Sequence, residues 1–200
     1  MFTGIVTDIG RVSAVERQGD TRFTLATAYD MDAVSLGASI CCAGACLTVI
    51  EKGPGWFAVK ASAETLARTT LGEWRPGTPV NLERPLTLAD ELGCHIVSGH
   101  VDAVARVADM RPEGDSVRFV FEVTAPYGRY VAAKGSIAVD GVSLTVNEVV
   151  DGPDGTTRFG VNIIEHTRRK TTFGARQAGD RVNFEVDMLA CYAARILGRD

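Results

Sequence analysis

Two similar blocks of this sequence carry different reactive side chains at the same place. "SICCAGACLTVIE" at 39–51 has Cys46 where "SIAVDGVSLTVNE" at 136–148 has Ser143. Cysteine is the softest nucleophile among side chains once its thiol ionises, whereas a serine hydroxyl acts when a neighbour takes its proton. His100, in the stretch "SGHVD", suits that work, because an imidazole titrates near ~6.5 and passes protons around neutrality. Ser39, Thr48 and Thr145 add hydroxyls within the two blocks. Each residue also has a plainer reading by type alone. Cys46, with Cys41 and Cys42, fits a hydrophobic core, His100 a strand end, Lys134 a solvated turn and Asp187 the cap of a helix. Cys42, Cys46, His95 and His100 lack zinc-finger spacing, and no metal is expected.

The elements that position these residues follow from the repetition, which runs far beyond the two blocks. "TGIVTDIGRV" (3–12) matches "SGHVDAVARV" (98–107) at an offset of 95, the paired blocks follow at 97, and "FAVKASAETLARTTLG" (57–72) matches "FGVNIIEHTRRKTTFG" (159–174) at 102. "GTPVNLE" (77–83) meets "GDRVNFE" (179–185) at that same offset. The offset changes only between blocks, as it does when loops take insertions and paired strands do not. A unit of half the chain is domain-sized. Within each copy the blocks are short, rich in Val, Ile, Thr and Phe, and punctuated by Gly, Asp and Pro, which reads as strands.

The expected fold is therefore all-β, with two tandem six-stranded Greek-key barrels over 1–95 and 96–186. Short helices are expected in "ETLARTTLG" and "HTRRKTTFG", stopping at Gly72 and Gly174, with a further turn capped by Thr87 in "TLADELG". "DMLACYAARILGRD" has no counterpart in the first copy. Met188, Leu189, Tyr192, Ile196 and Leu197 recur there at helical spacing, so 187–200 reads as a terminal helix with one apolar stripe.

Composition excludes several classes of function. The chain has 200 residues, 46% hydrophobic and 23% charged, and a formal net charge of −4 with scattered basic residues, which argues against nucleic acid or an anionic membrane. "MFTGIVTDIGRV" has neither the basic start nor the apolar run of a signal peptide, and no stretch is long and apolar enough to span a bilayer. The expectation is a cytoplasmic protein with a small-molecule ligand and five free thiols.

Taken in order, "MFTGIV", "GACLTV", "SGHVD", "KGSIAVDGVSLTVNEV" and "GDRVNFEVD" resemble the riboflavin synthases over essentially the whole chain. The resemblance implies a cofactor-independent dismutation of two 6,7-dimethyl-8-ribityllumazine molecules to riboflavin and 5-amino-6-ribitylaminouracil, by transfer of a four-carbon unit. It also implies a homotrimer, with sites between the first barrel of one subunit and the second of its neighbour, and an association with lumazine synthase. By the family pattern, catalytic roles fall on His100, Ser143, Cys46, Ser39, Thr145 and Asp187. The first-barrel pocket then gathers Ser39, Cys46, Leu47, Thr48, Lys60, Ala61, Ser62, Ala63, Glu64 and Thr65, with Gly4, Ile5 and Val6 also on ligand positions. The second gathers Gly99, His100, Val101, Ser143, Leu144, Thr145, Ile164, Glu165, His166, Thr167, Arg168 and Arg169, with Lys134 reaching the first-barrel ligand across the interface. His100 and Ser143 are expected to handle protons, and Cys46 and Ser39 to activate the acceptor, while His95 receives no catalytic role.

Cys94 and Ala43 depart from the family, which usually has glycine and asparagine there. A lumazine-binding antenna protein of the same fold is the main alternative. The flavin-binding barrel of a reductase lacks the GxGxxG and the extra chain length it would need.

Overall fold

The computed structural model describes residues 1–198. The first copy forms six strands, β1 (Asp8–Arg17), β2 (Thr21–Ala26), β3 (Ser39–Cys42), β4 (Ala45–Gly53), β5 (Trp56–Ala61) and β6 (Pro79–Glu83), with α1 (Ala63–Arg68) between the last two. The second copy forms β7 (Ala103–Glu113), β8 (Ser116–Thr124), β9 (Ser136–Val139), β10 (Val142–Asp151), β11 (Thr156–Ile163), α2 (Glu165–Lys170) and β12 (Arg181–Val186). The chain continues into α3 (Met188–Ile196). The end of the expected 187–200 helix, residues 199–200, lies outside the described residues.

Both copies close into antiparallel barrels with one ring order, β1-β2-β5-β4-β3-β6 and its equivalent in β7 to β12. Neighbours in the ring skip along the chain, so β2 pairs with β5 and β6 returns to β1, which is a Greek key. Closure removes exposed strand edges. Alternation then sorts the side chains: on β4, Leu47 and Val49 are buried while Cys46 and Thr48 point outward, and β10 repeats this with Leu144 and Val146 inside, Ser143 and Thr145 outside. Phe23, Phe57 and Leu82 fill the first barrel; Phe119, Phe121, Phe159 and Phe184 fill the second.

The helical stretches end earlier than the sequence suggests. Helix α1 stops at Arg68 and a 3₁₀ turn spans Thr70–Glu73, so Gly72 sits inside a turn rather than ending a helix. Thr69 causes the break. It is extended, its hydroxyl donates to the Thr65 carbonyl at 2.6 Å and accepts from Leu71 N–H at 3.2 Å, so a side chain replaces the next helical bonds. Thr171 does the same in the second copy. The stretch at Thr87 is a turn, as expected, but Asp90 caps it, its carboxylate accepting from Thr87 N–H at 2.7 Å.

The barrels are packed by reciprocal contacts, as a local two-fold axis produces. Phe2 and Val97, each wholly buried, exchange backbone hydrogen bonds of 2.8 and 2.9 Å, and with Cys41 and Ala138 they form a small core between the copies. Asn81 donates to the Asp140 carbonyl (2.9 Å) and accepts from Thr172 N–H (2.8 Å); Asn183 donates to the Ala43 carbonyl (2.7 Å) and accepts from Thr70 N–H (2.7 Å). Two buried amides thus tie each barrel to the other at four points.

Candidate functional site

The segments that lead into the barrels build the site, and each leans on the opposite copy. Glu83, at the end of β6, accepts from Thr3 N–H (2.6 Å), the Thr3 hydroxyl (2.8 Å) and Gly4 N–H (2.9 Å). Glu185, at the end of β12, holds Ser98 and Gly99 in the same way at 2.6, 2.7 and 3.0 Å. Burial raises both carboxyls above the usual range, and the hydrogen bonds counteract this. So held, the Gly4 carbonyl accepts from Ser143 N–H at 2.9 Å, and the Gly99 carbonyl from Cys46 N–H at 2.8 Å.

Only glycine fits at these two contacts. Both have positive φ, 75° at Gly4 and 79° at Gly99, and a Cβ would come within 2.6 Å of the Cβ of Ser143 or of Cys46. Beyond them Val6 packs on the core of the second barrel and Val101 on that of the first.

This crossing corrects the expected grouping. Gly99, His100 and Val101 belong with Cys46, not with Ser143, and together with Glu64, Thr65, Arg68, Asp102 and Tyr127 they line a cavity of about 430 Å³. Gly4, Ile5 and Val6 run to the Ser143 side. His100 is exposed, with its backbone N–H on the Ser98 hydroxyl at 3.2 Å. The histidine on Ser143 is His95, whose Nδ1 lies 2.7 Å from Ser143 Oγ. Burial holds His95 below the ordinary imidazole range, opposed by the charge of Asp187. Asp187 also caps α3, its Oδ1 accepting from Leu189 N–H at 2.9 Å. Ser143, His95 and Asp187 thus form one polar cluster, and nothing in the local sequence marks His95 for it.

Ser39 lies opposite Thr48 on neighbouring strands, and Ser136 lies opposite Thr145 in the second copy. Ser136 is Ser39 moved by the 97-residue offset of its block, a signal that identifies it, although it was not among the expected residues. The two outward faces are therefore Ser39, Cys46, Thr48 and Ser136, Ser143, Thr145, identical in hydroxyl pattern apart from the central position.

Lys60 is exposed near the end of β5, Ala61 ends the strand and is buried, and Ser62 caps α1 by accepting from Thr65 N–H at 3.2 Å. Ala63, Glu64 and Thr65 form the first turn of α1. The equivalent cap is Ile164, which is 55% exposed and makes no side-chain cap bond. Glu165, His166, Thr167, Arg168 and Arg169 follow on α2, with Arg169 paired to Glu165. Lys134 is exposed and has φ of 68° where the first copy has Gly37 at 84°.

All five cysteines are unpaired, with Cys41 and Cys42 buried and Cys46 half-buried. Among the described residues no cluster of His, Cys, Asp or Glu is arranged as a metal site, and no helix is long and apolar enough to cross a membrane.

Two closed barrels, each presenting an outward polar face fed by the other's leading segment, define a duplicated-barrel protein. The lumazine binding domain matches residues 3–85 and again 98–187. The chain is 47% identical to the riboflavin synthase of Brucella abortus and 43% identical to that of Mycobacterium tuberculosis, over 98% of both partners in each case. It is 38% identical to the riboflavin synthase of Meyerozyma guilliermondii over 94% of this chain and 82% of that one. The chain belongs to the riboflavin synthase family. The fold is also that of LumP complexed with 6,7-dimethyl-8-(1'-D-ribityl) lumazine, with a TM-score of 0.81 at 23% identity, covering 93% of this chain and 99% of that one.

Proposed function

We propose that the chain catalyses the dismutation of two 6,7-dimethyl-8-ribityllumazine molecules, giving riboflavin and 5-amino-6-ribitylaminouracil. The observation that carries this reading is the pair of matching outward faces that differ at one reactive position, Cys46 against Ser143. A reaction between two copies of one substrate needs two similar pockets with different chemistry. Holding both copies turns a dilute encounter into a positioned one.

The role of each group follows from its surroundings. His95, half-buried and with its pKa lowered by that burial, is placed to take a proton from Ser143 Oγ, and through it from the acidic methyl group of one lumazine. Asp187 offsets charge that develops on His95. On the other face, Cys46, Ser39 and His100 serve the acceptor, with Thr48 and Thr145 orienting the two rings. Lys60 to Thr65, Ile164 to Arg169, Gly4 to Val6 and Gly99 to Val101 supply the remaining walls.

The two lumazines meet between subunits of a homotrimer, where Lys134 reaches its neighbour's first barrel. Support comes from α3, which exposes Leu189, Tyr192, Ile196 and Leu197 together, a stripe suited to burial against another subunit. A cytoplasmic setting agrees with five unpaired thiols. Docking on lumazine synthase belongs to the same proposal, as the partner class that supplies the substrate.

The test is incubation of the purified protein with 6,7-dimethyl-8-ribityllumazine alone, following riboflavin by absorbance. One riboflavin per two lumazines consumed is the expected stoichiometry. Tight binding without turnover would overturn the reading in favour of an antenna protein.

A further inference from the structure

The leading segment of the second barrel brings more than His100 to the cavity beside Cys46, because Asp102 lines it as well. Asp102 N–H donates to the Phe184 carbonyl at 2.9 Å, and Asp102 Oδ2 accepts from Val186 N–H at 2.8 Å, which fixes the carboxylate on the end of β12. Its Oδ1 takes no hydrogen bond among the described residues. Burial raises the Asp102 carboxyl above its usual range, and the Val186 bond and the nearby charge of His100 oppose this. The other charged groups on the cavity, Glu64 and Arg68, pair with each other at 2.8 Å. Asp102 is therefore the carboxylate left to His100.

The barrel fold does not require this pair. At the 95-residue offset of their block, His100 and Asp102 fall on Ile5 and Thr7, which carry no group that titrates near neutrality, and the Thr7 hydroxyl is already bonded to that of Tyr29. On that second face the imidazole is His95, from the linker, and the carboxylate is Asp187, from the start of α3. Each face thus has a nucleophile, an imidazole and a carboxylate: Ser143 with His95 and Asp187, Cys46 with His100 and Asp102. The imidazoles and carboxylates come from positions that the repeat does not relate. The same trio drawn from unrelated positions is recognised by its roles, as in other nucleophile–base–carboxylate sites.

We propose that Asp102 is a positioning residue for the Cys46 face, its free oxygen holding the His100 imidazole while that ring takes the proton of the Cys46 thiol. The proton moves from Sγ to an imidazole nitrogen, the electron pair stays on sulfur as a thiolate, and the Asp102 carboxylate offsets the imidazolium. His100 is exposed in the free protein, and contacts of this kind tighten when a ligand fills the site. What the thiolate serves, the acceptor lumazine, rests on the dismutation reading; the trio itself rests on the cavity.

The test alkylates the whole protein with iodoacetamide at neutral pH and follows each cysteine by peptide mass spectrometry, with Cys94, exposed on the linker, as the internal standard. Asp102→Asn keeps an acceptor for Val186 N–H and removes only the charge. It should slow alkylation of Cys46 about fivefold and leave Cys94 unchanged. His100→Gln should slow it about tenfold, and the double variant should be no slower than His100→Gln, since Asp102 acts through His100. In riboflavin formation Asp102→Asn should lower kcat about tenfold with KM held within about twofold. A wild-type protein that forms no riboflavin would end the dismutation reading, and the alkylation rates would still decide the trio. Equal alkylation of Cys46 in wild type and Asp102→Asn, a slowing shared by Cys94, or additive losses in the double variant would overturn the proposal.

Discussion

Replacing Asn183 by alanine cuts half of the tie between the barrels. The Asn183 amide donates to the Ala43 carbonyl and accepts from Thr70 N–H, both at 2.7 Å, and the side chain is 1% exposed. Alanine leaves one backbone carbonyl and one backbone N–H without partners, in residues that are 6% and 7% exposed. Each orphaned group costs about 1–3 kcal/mol, so the variant should lose about 2–6 kcal/mol, toward the lower end if water enters the space. That is a large share of the ~5–15 kcal/mol that stabilises a typical domain. Asn183→Asp keeps the acceptor for Thr70 but sets a carboxylate oxygen against the Ala43 carbonyl, and should be at least as damaging at pH 7. Urea unfolding followed by circular dichroism, at one protomer concentration, measures both. The Asn81→Ala, Asn183→Ala double variant should split the transition in two as the barrels uncouple. A loss under about 1 kcal/mol for Asn183→Ala would refute the assignment of the tie to these amides.

At Gly99, alanine would meet the Cys46 Cβ at 2.6 Å and its N at 2.9 Å with φ at 79°, so Gly99→Ala should cost at least ~1 kcal/mol and raise KM. Wild-type KM and Tm in that variant would contradict the close contact. Because burial lowers the His95 pKa from 6.5, the unfolded chain binds that proton more tightly. The stability His95 contributes is therefore present above pH 6.5 and lost as pH falls from there through the folded pKa. The acid limb of kcat/KM should accordingly lie below pH 6.5 and vanish in His95→Gln, and a limb at or above that pH would count against His95 as the base. Truncation after Asp187 removes the apolar stripe of α3 and should leave folded single chains by light scattering with little turnover, whereas an unchanged oligomer would move the contact elsewhere.

The barrels were legible because a repeat with a block-wise constant offset admits few alternatives, and because Leu47 and Leu144 show which way Cys46 and Ser143 must face. The crossing of the leading segments was not legible. Self-similarity matches Gly4 with Gly99 but does not say which barrel each leans on, since both choices preserve the alignment. The His95–Ser143 contact was hidden for a related reason: it joins residues 48 positions apart, of which His95 lies outside the repeated blocks, and His100 in a recognisable motif drew the role instead. Ser136 was within reach through the offset. The split of each helix at Thr69 and Thr171 depends on a hydroxyl competing with the backbone, which periodicity does not register.

The Gly4 and Gly99 contacts bear on how two chemically different pockets can exist at all. In a pair of identical chains related by true symmetry, position 46 of one and position 46 of the other are the same gene position, so a thiol in one pocket forces a thiol in the other. Joining the copies end to end removes that constraint while the reciprocal backbone contacts keep the old geometry. One copy then keeps a cysteine, the other takes a serine with His95 beside it, and the linker that joins them supplies that histidine. Covalent fusion lets a symmetric scaffold carry a thiol at one of its two equivalent places and a hydroxyl at the other.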